Sequence, residues 1–154
     1  DPYKDKRGTG WQVIRAMTGI SAGGFDGKGY LKGDITQGEF IPEQHTDMIF
    51  TTVAEERGFL GASLLIVLYA GFLIRLIYVA ERQKSIFVRV FGYCLVSFLF
   101  FHFTINVGMT MNLFPFIGIP LPLVSYGGSS LWAFSIMLFV FLKLDMHRSQ
   151  ILSR

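Results

Sequence analysis

Glu43, His45, Thr46 and Asp47 crowd into the stretch EFIPEQHTDMIF, residues 39–50, just ahead of a long apolar run. Asp47 carries the sharpest chemistry. A carboxylate at the mouth of a helix tends to stay ionised, because exposed backbone amides favour an anion there. Aimed into a cleft, it can take a proton from a hydroxyl as a general base. Spacing alone favours a plainer role, because Asp is also among the best helix N-caps. Glu43, His45 and Asp47 alternate as metal ligands can, but three groups in one short run with no partner elsewhere read more simply as polar groups facing water. Lys28 lies between glycines in GKG, which resembles a phosphate loop only superficially: without GxxxxGK[ST] a nucleotide reading is poor. It can still meet a phosphate as a point charge.

Further along, Glu55 and Glu56 read most simply as solvated residues of a helix about to enter lipid, or as partners of Arg57. His102 in FLFFHFTINVG reads as a hydrogen-bonded histidine of a helix bundle, and Asn106 as a polar bridge between helices. SYGGSS, residues 125–130, allows backbones to approach closely, or opens room for a lipid chain or head group around Ser129.

The elements that must position these groups are set by an uneven composition. Of 154 residues, 51% are hydrophobic and 16 are Phe, which argues against a soluble domain. Residues 1–57 hold seven Lys/Arg and nine Asp/Glu, whereas 58–154 hold seven Lys/Arg and only two acids, Glu81 and Asp145. The net charge of +3 is therefore −2 plus +5, a pattern of membrane topology and not of a nucleic-acid surface. The single cysteine, Cys94, excludes a disulfide framework. The chain starts at Asp1 with no signal-like region before its first apolar run, which reads as a piece of a longer protein.

Three runs have the roughly 20 apolar residues that a membrane crossing needs: about 59–79, 86–107 and 123–142. The expected architecture is an all-α polytopic membrane protein, with a structured loop over 1–57 and three spans plus a tail over 58–154. Lys and Arg gather in the turn AERQKS, residues 80–85, and in the tail KLDMHRSQILSR, residues 143–154, and are missing from 109–124. The positive-inside rule then places 80–85 and the C-terminus in the cytoplasm, and 1–57 and 108–122 outside. LFPFIGIPLP, residues 113–122, holds three prolines and is expected to dip back against the bundle as non-helical backbone. Trp11–Ile20, with apolar residues at 11, 14, 17 and 20, predicts a short amphipathic helix closed by SAGG. A second helix is expected to begin at His45, capped by Thr46 or Asp47, and to continue into the first span.

GTGWQV, GKG, FIPEQHTDMIF, AEERGFLG, NVGM, GIPLPLVSYGGSS and the basic tail, in this order and spacing, resemble the SEDS family of bacterial shape, elongation, division and sporulation proteins. ITQGEFIPEQHTD leans toward its RodA branch rather than its FtsW branch. The resemblance covers nearly the whole chain. It implies a fragment of a ten-helix fold: the large outer loop and the last three helices of a peptidoglycan glycosyltransferase in the bacterial cytoplasmic membrane. Such an enzyme polymerises lipid II into β-1,4 glycan strands during elongation and shape maintenance, beside a class B penicillin-binding protein transpeptidase.

The same resemblance implies that Asp47, in HTD, is the catalytic carboxylate. Lys28, Glu43, His45, Thr46 and Ser129 become candidate contacts to lipid II or the nascent strand, and a divalent cation, expected to be Mg²⁺, would support the pyrophosphate leaving group. Two departures stand out. The family's HTDFIF reads HTDMIF here, and Asn112 occupies a place commonly held by glycine, a change expected to bear on the shape of the outer loop. Two other functions fit a membrane protein of this kind. One is a lipid II flippase, disfavoured because the carboxylates lie outside the spans. The other is a scaffold that anchors a penicillin-binding protein without catalysis.

Overall fold

A computed structural model of the chain describes residues 9–33 and 46–150. Among them are four helices and no strand: α1 (Thr9–Gly23), α2 (Ile49–Glu81), α3 (Ile86–Thr110) and α4 (Gly128–Gln150). The last three are long and apolar enough to cross a membrane. α2 and α3 run antiparallel through the tight turn at 82–85. The longer connection 111–127 returns the chain, so that it shares one end of the bundle with α1.

α1 is longer than the predicted 11–20, and its buried face is displaced by one position. Gly10, Val13, Ala16, Gly19 and Gly23 are buried, while Trp11, Ile14, Met17 and Ile20 are half-buried. Small residues give this helix close backbone contact with α2, and the bulkier ones flank the seam. Val13, Ala16 and Met48 form a small core of their own, with Phe116 from the 111–127 connection packed on it.

The main core lies lower in the bundle. Tyr69, Leu73, Leu76 and Val79 of α2 meet Leu95, Val96 and Leu99 of α3, while Phe134 and Phe141 of α4 close the cluster. Tyr69 stacks on Phe103 with ring centroids 4.3 Å apart. Outside this seam the spans present large apolar side chains, among them Leu64, Val67, Phe101 and Trp132, a surface suited to lipid or to further helices.

At the end away from α1, the only acids of residues 58–154 are both engaged. Asp145 of α4 accepts hydrogen bonds from Arg82 and from Gln83, whose amide also donates to the Val79 carbonyl at 2.9 Å. Glu81 accepts from the Tyr93 hydroxyl at 2.9 Å. The turn between α2 and α3 is thereby fastened to α4.

α2 differs from its sequence expectation at its start. Met48, not Thr46 or Asp47, occupies the N-cap position, with no side chain capping the helix, and the first helical residue is Ile49. The expected start at His45 lies outside the described residues. The Asp47 carbonyl is taken by the side chain of Asn106, so residues 46–47 form a turn instead of the first helical turn. The third span also starts later, at Gly128 and not Leu123. Leu123 has φ +66°, and the turn around it is closed on both sides: Leu121 N–H donates to Ser125 Oγ at 2.8 Å, and Ser125 N–H donates to the Leu121 carbonyl at 2.9 Å.

Candidate active site

The Ser-Ala-Gly-Gly end of α1 leads into a strap, residues 24–31, that enters a gap in α2. The gap is made by Gly58, at φ +63° and ψ −161°, which breaks the helix. In a continuous helix the amides of Phe59 and Leu60 would bond to the carbonyls of Glu55 and Glu56. Here those amides donate to the carbonyls of Gly24 and Phe25, at 2.9 and 3.3 Å. The vacated carbonyls of Glu55 and Glu56 accept the amides of Lys28 and Gly29, each at 3.0 Å. Each of these buried backbone groups thus finds a partner. The two chains approach so closely that a Cβ on Gly58 would stand 2.4 Å from the Gly27 nitrogen, and one on Gly27 would stand 2.3 Å from the Glu56 carbonyl.

This splice corrects the reading of Glu55 and Glu56 as solvated. Glu55 is fully buried and Glu56 is 9% exposed. Glu55 pairs with Lys28 at 3.6 Å, and Glu56 Oε1 accepts the Leu31 amide at 3.1 Å. Leu31 itself holds φ +58°, a left-handed conformation that a bulky residue rarely adopts and that the surrounding bonds must maintain. The two carboxylates hold the strap from within. A sequence signal for them exists in retrospect: an isolated glycine inside an otherwise helical run, matched by the glycine-rich GGFDGKG upstream.

Asp47 sits half-buried one residue before the α2 cap. Asn106, wholly buried in α3, donates both hydrogens of its side-chain amide to backbone carbonyls, Asp47 at 2.8 Å and Ile119 at 2.7 Å. Both acceptors are carbonyls, so only one orientation of the amide satisfies them. Hydrogen bonds between membrane helices average only about 0.6 kcal/mol, so the pair contributes on the order of 1 kcal/mol. Its effect is geometric. It draws the HTD turn and the proline-rich connection onto one point of α3. Beside that point Gly118 has φ +72°, and a Cβ there would lie 3.0 Å from Asp47 Oδ2. The expectation that 113–122 folds back on the bundle thus agrees with the position of Ile119, Leu121 and Phe116. Asn106 bridges a helix to two irregular segments.

Asn112 ends α3 in a Schellman arrangement. At φ +59° it occupies the left-handed position, its amide donates to the Met109 carbonyl at 3.2 Å, and the Leu113 amide donates to Gly108 at 2.8 Å. Asn tolerates that conformation better than other non-glycine residues, so it can hold the turn that glycine commonly makes at this place.

Two residues beyond Asp47, Ile49 forms one wall of an apolar cleft of about 570 Å³, completed by Leu123, Val124, Tyr126, Gly127 and Leu131. SYGGSS therefore shapes a space between the starts of α2 and α4. Ser129 is exposed and lies outside the cleft wall. Thr46 is half-buried beside Asp47. Lys28, with 27% of its side chain exposed, is held at Glu55. Glu43 and His45 lie outside the described residues. Among the described residues no three His, Cys, Asp or Glu groups converge to hold a metal. His102 packs its ring between Phe98 and Phe134, with centroids at 4.5 and 5.3 Å, and its Nδ1 finds no hydrogen-bond partner among the described residues.

Comparison with known proteins gives a consistent answer. The profile of the FtsW, RodA and SpoVE family, described as cell cycle protein, matches residues 1–150. The chain is 39% identical over 151 residues to the peptidoglycan glycosyltransferase MrdB of Escherichia coli K12, covering 98% of this chain and 41% of that protein. It is 39% identical over 132 residues to the peptidoglycan glycosyltransferase RodA of Treponema pallidum, covering 86% of this chain and 30% of the relative. A solved structure concerned with the coordination of polymerization and crosslinking by a peptidoglycan synthase complex superposes with a TM-score of 0.81 at 34% identity, over 97% of this chain and 40% of the solved one. The chain thus spans less than half the length of each of these proteins.

Proposed function

The chain belongs to the FtsW, RodA and SpoVE family of cell cycle proteins, and from that premise we propose that it forms the acceptor-activating end of a peptidoglycan glycosyltransferase that polymerises lipid II during cell elongation. The observation that carries this reading is the placement of Asp47. Its backbone is tied to α3 through Asn106, its carboxylate abuts Gly118, and an apolar cleft opens beside Ile49. A membrane-anchored sugar needs such a juxtaposition: a carboxylate at a helix mouth next to a space lined by apolar groups.

In the proposed reaction the 4-hydroxyl of an incoming GlcNAc attacks C1 of the MurNAc at the end of the growing strand. The hydroxyl proton passes to the Asp47 carboxylate, the new C1–O bond forms with inversion, and the bond to the pyrophosphate carrier breaks. A β-1,4 linkage results. Lys28, steadied by Glu55 and still partly exposed, is the proposed partner of the pyrophosphate, and Thr46, Glu43, His45 and Ser129 remain proposed contacts to sugar or carrier. Mg²⁺ commonly binds through one or two carboxylates and the phosphates of a substrate. Among the described residues no three His, Cys, Asp or Glu groups converge to hold a metal, so a cation would be held chiefly by the pyrophosphate itself, where it would neutralise leaving-group charge. The basic residues at the end opposite α1 support an extracytoplasmic site, with the C-terminus in the cytoplasm. A class B transpeptidase is the proposed partner, in keeping with the synthase complex that the chain resembles.

The test is glycan polymerisation from purified lipid II by the complete membrane protein with its transpeptidase, comparing wild type with Asp47→Asn over a range of Mg²⁺. Loss of polymer with normal membrane levels and partner binding supports the reading. Wild-type polymerisation by the variant rejects it.

A further inference from the structure

Asn106 is buried in α3, and it spends both amide hydrogens outside that helix. Neither acceptor is a side chain. One is the carbonyl of Asp47 and the other is the carbonyl next to Gly118, the residue whose missing side chain leaves room for the Asp47 carboxylate. One amide thereby fixes both segments that determine where that carboxylate stands. The Asn106 carbonyl oxygen accepts nothing among the described residues, so the side chain is held there by its donors alone.

We propose that Asn106 is the positioning residue of the active site: it acts through the Asp47 and Ile119 carbonyls to set the carboxylate against Gly118, without touching substrate. The inference rests on Asp47 being the base. It goes beyond a bridge between helices, because both hydrogen bonds of the side chain run to irregular segments and not to another helix.

Its consequence is kinetic. A displacement of about 1 Å in a catalytic group can cost on the order of 100-fold in rate. In Asn106→Leu, which keeps nearly the same bulk and removes both donors, kcat for glycan polymerisation by the complete membrane protein with its partner should fall by about that factor. The KM for lipid II, melting temperature and partner co-purification should stay near wild type. The acid limb of the pH–rate profile should also move, since the carboxylate has changed surroundings. Gly118→Ala, which leaves Asn106 intact and crowds Oδ2 directly, should give the same split between kcat and KM.

Asp47→Asn is measured in parallel, and the double variant Asn106→Leu/Asp47→Asn should be no slower than Asp47→Asn alone. Asn106→Leu with wild-type kcat and pH profile, while Asp47→Asn is inactive, overturns the positioning role and leaves the base assignment intact. Wild-type activity in Asp47→Asn overturns the base assignment itself. A loss in Asn106→Leu that appears only as less folded protein, with unchanged kcat per folded molecule, also overturns the proposal. Should that variant fail to accumulate, Gly118→Ala decides: wild-type kcat there shows that carboxylate placement does not depend on this junction.

Discussion

Lys28 and Glu55 form an ion pair at 3.6 Å in which the glutamate side chain is fully buried and the lysine side chain is 27% exposed. The pair joins the strap to the first turns of α2, at the level where the backbone hydrogen bonds cross over. Breaking a buried pair by removing one partner typically costs about 3–5 kcal/mol. Partial exposure of Lys28 places the expected loss for Lys28→Ala at the lower end, about 3 kcal/mol. Glu55→Gln, which keeps a hydrogen-bonding group of the same size, should cost less. Thermal unfolding of the complete protein in detergent measures the order of the two.

Gly58→Ala and Gly27→Ala should each be strongly destabilising, because both residues hold positive φ and each added Cβ would meet backbone closer than 2.5 Å. The left-handed conformation alone costs an L-residue about 1–2 kcal/mol, before any clash. Gly71→Ala supplies the contrast: nothing lies within 4 Å of its added Cβ, and Ala should stabilise that helix by about 1 kcal/mol. Melting curves of the three variants should show two losses and one gain.

Asn112→Gly should keep or slightly raise stability, since glycine enters the left-handed position without a penalty. Asn112→Val should lower it by about 1–2 kcal/mol, because a β-branched residue is poorly accommodated at φ +59°. A retained Leu113 amide in slow hydrogen exchange would report the intact Schellman closure in the glycine variant, and its loss would report the opened one in the valine variant.

Asp145→Ala should release the 82–85 turn from α4. Arg82 is 47% exposed on its side chain, so solvent screens much of that attraction and the expected cost is about 1 kcal/mol. Asp145→Asn should retain part of it through Gln83. Spin labels on Lys84 and Met146 would read the separation of the turn from α4: a broadened distance distribution in Asp145→Ala and a narrow one in Asp145→Asn are expected.

The helical class and the three spans were legible because uninterrupted apolar runs near 20 residues have few other uses. Where backbone geometry depends on residues far along the chain, the sequence was silent. Glu55 and Glu56 read as solvated because the pattern Glu-Glu-Arg before an apolar run is what a membrane entry offers. Only the arrival of Lys28 and Leu31, more than 20 residues upstream, shows otherwise. The cap was expected at Thr46 or Asp47 from residue preference, yet a side chain on α3 claims the Asp47 carbonyl first. The third span was drawn from Leu123 because LPLV is apolar, and apolarity does not reveal a left-handed Leu123. For the site, the HTD motif marks Asp47, whereas the two carbonyls that Asn106 holds lie 59 and 13 residues away in irregular segments whose paths no local pattern encodes.

The crossing at Gly58 also sets how force travels through the molecule. α2 is 33 residues long, roughly 50 Å at 1.5 Å per residue, and the part after the break accounts for about 35 Å, enough for the hydrocarbon layer. The lower segment can lean as bilayer thickness changes, but the strap holds both sides of the break: it bonds the Glu55 and Glu56 carbonyls above Gly58 and the Phe59 and Leu60 amides below it. The strap acts as a splint across the break, so a tilt of the membrane rod is shared with the loop that follows α1 as well as with the turn that carries Asp47.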